Sequence, residues 1–111
     1  MSHFNQSLEF EKEFSKLSKK YPSLDEDLKK FEKLLAVNPV GFGVNFVTIH
    51  HAEEVRIVKA RLACKSLRDR SVRIIYSYHQ STLTFMYIEI YFKGNKENED
   101  RARVEKYLKS L

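Results

Sequence analysis

The chain has 111 residues, 42% hydrophobic and 32% charged, with a formal net charge of +5. That length allows one domain and one core, and the composition excludes a disordered chain. The lone Cys64 excludes an internal disulfide, and no apolar run approaches the roughly 18 residues of a membrane span. The start of the chain lacks the charged-then-apolar pattern of a secretory signal, so the expected compartment is the cytoplasm.

Met1 to Gln6 is weakly patterned and reads as an edge strand or a loose terminus. Leu8 to Lys19 predicts a helix, with Phe10, Phe14 and Leu17 on one face. Pro22 ends it, since proline disfavours helical geometry at Tyr21. A second helix follows, with Ser23 as expected N-cap, Glu26 completing a capping box, and Leu24, Leu28, Phe31 and Leu35 as its apolar stripe. Asn38-Pro39 stops it. The two helices predict a hairpin whose stripe needs a sheet to cover. Gly41 to Glu53 is poorly patterned and holds either a short strand around Val44–Ile49 or a loop. His50 and His51 are adjacent, so on extended backbone they point opposite ways, and no further ligand completes a metal site. No metal and no cofactor is expected.

Residues 54–65, 71–79 and 82–93 predict three successive strands. Side chains alternate faces along a strand, so parity sorts them. Val58, Ala60, Leu62 and Cys64 fall on one face of the first, with Lys59, Arg61 and Lys65 opposite. The second puts Val72, Ile74, Tyr76 and Tyr78 against Arg73, Ser77 and His79. The third puts Met86, Ile88, Ile90 and Phe92 against Phe85, Tyr87, Glu89, Tyr91 and Lys93. Gly94-Asn95 makes a turn, and Asn98 is the expected cap of a last helix with Val104, Tyr107, Leu108 and Leu111 on its apolar side. The fold class is therefore α+β: an N-terminal helical hairpin on a small antiparallel sheet, with a short C-terminal helix.

Charge cancels within residues 1–33 and again within 97–111, and residues 34–49 carry none. The whole excess of +5 lies in residues 50–96, which hold nine basic and four acidic side chains. A cationic strand face calls for an anionic partner, nucleic acid or an acidic peptide.

The order helix, helix, three strands, short helix resembles the RelE/ParE superfamily of toxins from bacterial type II toxin–antitoxin modules, in its RelE-like branch. The resemblance rests on FEKEFSKLSKKYPSLDEDLKKFEKLL, on VKARLACKSLRDRSVRIIY with its "K-x-R … R-V/I-x-Y" pattern, and on IYFKGNKENED. It implies residues 1–111 as one toxin domain, an endoribonuclease that cuts mRNA, usually on the ribosome, and so inhibits translation. It also implies a cognate antitoxin as partner, with operator DNA bound only by the toxin–antitoxin complex, and no membrane. Two departures stand out: Asp69-Arg70-Ser71-Val72 replaces a Ser-Gly-Gly turn, and the chain lacks the aromatic or His-Tyr tail of the best-studied nucleases.

Cleavage of this kind uses the ribose 2′-OH as nucleophile and leaves a 2′,3′-cyclic phosphate, needing a base, an acid and cations. The expected catalytic residues are Lys59, Arg61, Arg73, Tyr91 and Lys93, with Lys65, His79, Tyr87 and Lys96 binding RNA. Arg73 is expected to matter most, as the cation on the middle strand. Two alternatives share the fold: a ParE-like toxin that poisons DNA gyrase without nuclease chemistry, and a non-catalytic binding module. An acidic, partly disordered antitoxin segment is expected over the basic face.

Overall fold

The computed structural model describes residues 3–68 and 70–111. Met1 and Ser2, in the first predicted stretch, and Asp69, in the turn before the middle strand, lie outside the described residues. The protein is α+β. Its elements run β1 (His3–Gln6), α1 (Leu8–Lys20), α2 (Leu24–Val37), β2 (Phe46–Ala52), β3 (Val55–Ala63), a 3-10 turn (Lys65–Leu67), β4 (Ser71–His79), β5 (Thr84–Phe92) and α3 (Arg101–Lys109). The sheet order is β1-β5-β4-β3-β2, so β4 is central.

The three predicted strands are β3, β4 and β5, joined as antiparallel neighbours. Two edge strands extend them. β2 forms from the poorly patterned segment and pairs antiparallel with β3, with a bulge between Thr48 and His50. β1 pairs parallel with β5, which makes the sheet mixed at that edge, and the Phe4 ring stacks on Phe85 at 4.5 Å. Among the described residues no helix is long and apolar enough to cross a membrane.

The helical hairpin covers one face. Phe10 from α1 and Leu24, Leu28, Phe31 and Leu35 from α2 pack on Val58, Ala60, Leu62, Val72, Ile74 and Tyr76. Leu24 and Leu35 are fully buried, and each such side chain contributes about 1.5–3 kcal/mol. Ser7 caps α1 by accepting a hydrogen bond from the Phe10 N–H at 3.1 Å. The predicted capping box of α2 does not form. Ser23 Oγ instead donates to Asp27 Oδ2 at 2.7 Å and accepts from the Ser66 N–H at 2.8 Å. Asp27 Oδ2 also accepts from the Lys65 N–H, so Ser23 and Asp27 fasten the 3-10 turn to the helix.

Parity holds through β3 and β4 and fails halfway along β5. Ile75 pairs with Glu89, but Tyr76 pairs with Tyr87, leaving Ile88 as an extra, bulged residue. An extra residue puts two neighbours on the same side of a period-two chain. Phe85 and Tyr87 therefore face the helical hairpin, while Ile88 and Met86 turn to the opposite face. Past the bulge, the expected assignment of Ile90 and Phe92 to the hairpin side returns.

The second face is only half open. α3 lies across it and buries Ile57, Ile75 and Ile88 under Val104, with Tyr107 and Leu108 alongside. Leu111, expected in that stripe, is 61% exposed beyond the helix end. The cap of α3 is Asp100 rather than Asn98: its side chain accepts from the Arg103 N–H at 3.1 Å.

Candidate nucleic-acid groove

The bare half of the second face carries the cations. Arg61 on β3 pairs directly with Arg73 on β4, and Arg73 pairs with Tyr91 on β5. Two guanidiniums in register repel each other, a cost a sheet bears only with compensation. Neither has a carboxylate within ion-pair distance among the described residues, and the same holds for Lys93. Arg73 Nη1 is steadied by donating to Ser71 Oγ at 2.9 Å. Burial, and then the charge of Arg61, lower its tendency to hold a proton. An arginine remains charged regardless, so the pair is a fixed positive site awaiting an anion.

These side chains line a groove in two lobes. One lobe, about 370 Å³, is bounded by Asn45, Lys59, Arg61, Arg73, Lys93, Glu99 and Arg101. The other, about 330 Å³, is bounded by Arg61, Arg70, Ser71, Arg73, Phe92, Lys93 and Gly94. Arg61, Arg73 and Lys93 border both lobes.

Where the groove meets α3, the cations are paired. Lys59 Nζ donates to Glu99 Oε1 at 2.9 Å, and Arg101 Nε lies 2.7 Å from Glu99 Oε2. Burial lowers the Lys59 pKa, but the Glu99 hydrogen bond, the neighbouring Tyr91 and the Glu99 charge together outweigh it and leave it raised. Lys59 is therefore a held charge rather than a base. Glu89 is fully buried; it pairs with Lys96 and accepts the Asp100 N–H at 2.8 Å, which anchors the start of α3. Glu89 is thus held in a structural ion pair within the fold.

Tyr91 is 6% exposed, and its buried hydroxyl has no hydrogen-bond partner among the described residues. Burial pushes its pKa up while the Lys59 ammonium pulls it down, and burial prevails. The phenol is neutral at physiological pH, a donor and not a base.

Lys59, Arg61, Arg73, Tyr91 and Lys93 thus converge as the strand pattern predicts. Lys96 sits at the margin, its ammonium 5.5 Å from the Tyr91 ring centroid. Three other expected RNA-binding residues do not join them. Tyr87 is fully buried beneath the hairpin and donates to Glu32 Oε2 at 3.0 Å, a consequence of the bulge. His79 lies six positions along β4 from Arg73, about 20 Å at strand rise, with Nε2 2.6 Å from Tyr107 Oη beneath α3. Lys65 leaves the strand for the 3-10 turn and lines a cavity of about 460 Å³ against α2, which Asn45 and Arg61 also border but Arg73 and Lys93 do not.

No protein-family model matches the chain, and no curated protein matches it. What the groove does is therefore inferred from its own residues. Sequence reasoning missed Asn45, Glu99 and Arg101 there. Glu99 and Arg101 read as the opening of the last helix, and only the path of the chain after Gly94 brings them back over β3. Among the described residues, no three His, Cys, Asp or Glu side chains gather closely enough to hold a metal ion.

Proposed function

We propose that the protein is a RelE-like toxin, an endoribonuclease that cleaves mRNA on the ribosome by attack of the ribose 2′-OH. The observation that carries this is the Arg61–Arg73 pair, set in register without carboxylate partners among the described residues and flanked by Lys93. A guanidinium pair offers planar, bidentate donors to the non-bridging oxygens of a phosphodiester. In the reaction the 2′ oxygen bonds to phosphorus as its proton passes to a solvent water, neither Lys59 nor Tyr91 being a base, and the P–O5′ bond breaks. The 5′ oxygen takes a proton, leaving a 2′,3′-cyclic phosphate and a 5′-OH.

Arg73 and Arg61 stabilise the charge that grows on the phosphoryl oxygens, with Lys93 and the Glu99-held Lys59 adding to the field. Tyr91, as a neutral phenol beside Lys59, is the proton donor in reach of the leaving oxygen once that hydroxyl turns toward the groove. In the cell the same cations are covered by an acidic antitoxin segment, bound with an affinity that falls as salt rises.

Induced expression in bacteria, followed by mapping of mRNA 5′ ends, tests the proposal. New 5′-hydroxyl ends within coding sequences are expected. Growth arrest with intact mRNA and falling gyrase activity would transfer the protein to the ParE-like alternative.

A further inference from the structure

The second lobe of the groove contains more than charge. It wraps around the end of the sheet, where β4 begins and β5 runs out, and reaches the partly buried Phe92 ring. The Arg70 guanidinium lies over that ring, its central carbon 5.3 Å from the centroid. On the turn side the ring is met by backbone: a Cβ added at Gly94 would fall 2.4 Å from Phe92 Cε2. Tyr21 meets the ring at 6.1 Å with a tilt of 59°. The ring is therefore packed by Tyr21 and the Gly94 backbone, and the Arg70 guanidinium covers it. Arg70 is exposed, and among the described residues it has no carboxylate partner.

We propose that this lobe is a nucleobase subsite, in which a base of single-stranded RNA stacks against Arg70 and Phe92. It rests on the proposed RNA cleavage and adds to it the group that is recognised beside the phosphate. A base attached to a nucleotide whose phosphate sits on Arg61 and Arg73 enters the lobe directly, because those two arginines and Lys93 border both compartments. Aromatic rings and guanidinium planes stack on any base, so the subsite orders the strand while tolerating sequence. None of the described residues that line the lobe carries a carboxylate to repel the neighbouring phosphates.

The test is binding, kept separate from cleavage by using fluorescein-labelled 2′-O-methyl RNA, which lacks the nucleophile. A second oligonucleotide of the same length is abasic throughout, so it keeps the phosphates alone. By fluorescence anisotropy, the full chain is expected to bind the base-bearing strand about tenfold more tightly than the abasic one. Arg70→Lys keeps the charge and removes the plane; it should bring the ratio close to one with abasic affinity unchanged. Phe92→Leu should act alike, and Arg70→Lys decides the matter if that core-edge variant folds poorly. A wild-type ratio of one, or a ratio that survives both substitutions, overturns the subsite. Arg73→Ala separates the two proposals: it should weaken both strands equally. If it weakens neither, the phosphate groove itself is wrong; if it does so but the wild-type ratio is one, only the subsite fails.

Discussion

One sheet face carries two chemistries, and β4 runs through both. At the Arg73 end the face is bare, cationic and without carboxylate partners among the described residues. At the Ser77–His79 end it lies beneath α3, with Ile57, Ile75 and Ile88 as its floor. Along β4 residue parity is the same throughout, so alternation assigns a side chain to a face but not to an environment. The difference comes from a helix of nine residues that covers only half the sheet. Its start is fastened exactly where the two halves meet, by Glu89 to Asp100 and Lys96 and by Glu99 to Lys59.

Substitutions along β4 should separate the halves cleanly. Ile75→Ala, at a fully buried site under α3, should cost about 2–5 kcal/mol, read as a drop in the urea midpoint. Arg73→Ala, two positions away, should reduce RNA cleavage by about 10²–10³ while stability moves by less than about 0.5 kcal/mol. Matched soluble protein, assayed for both cleavage and unfolding, checks the pair. If Arg73→Ala unfolds the protein as readily as Ile75→Ala, the halves are not distinct.

Smaller effects sharpen the boundary. Tyr107 Oη lies 2.7 Å from Ser77 Oγ and 2.6 Å from His79 Nε2. Tyr107→Phe should therefore lower stability by about 1 kcal/mol and leave RNA affinity at wild-type level. Glu99→Gln should move binding as well as stability: releasing Lys59 and Arg101 should raise affinity for RNA a few-fold and steepen its salt dependence, as measured by anisotropy. The acid side of the stability curve offers a further check. Burial raises the Glu99 pKa, but the Lys59 hydrogen bond, with neighbouring donors and charges, outweighs it and holds it below the ordinary 4.5. Its contribution to stability is then full above 4.5 and fades as pH falls through the lower native value. The wild-type advantage over Glu99→Gln should disappear on acidification past that point, read from urea midpoints across the pH range.

Most of the fold was legible because both helices and the three central strands carry strong periodicity over eight or more positions. Lys59, Arg61 and Arg73 were legible as one surface for the same reason: β3 and β4 pair without interruption from Val55 to Ala63. The remainder was hidden for identifiable causes. Tyr87 was misplaced because nothing in a run of alternating apolar residues marks which one is supernumerary. β2 and β1 are edge strands whose pairing depends on neighbours, not on their own pattern. Glu99 reached the groove through a chain reversal that no local spacing encodes. His79 had the right parity and the wrong end of the strand.

The bulge at Ile88 works like a shift of reading frame. Upstream of it β5 turns its aromatic rings to the hairpin; downstream the same face is served by Ile90 and Phe92, and Tyr91 stands beside Arg73. The Ile88 carbonyl, displaced from the ladder, accepts from Arg103 Nη1 at 3.0 Å and Ser7 Oγ at 3.3 Å, so the shift is held from two sides. Length, more than side-chain identity, is what this position supplies. Removing a single residue between Tyr87 and Tyr91 would invert one half of the strand or the other, either exposing two core rings or withdrawing Tyr91 from the arginines. An exchange of Ile88 for another aliphatic residue would do neither.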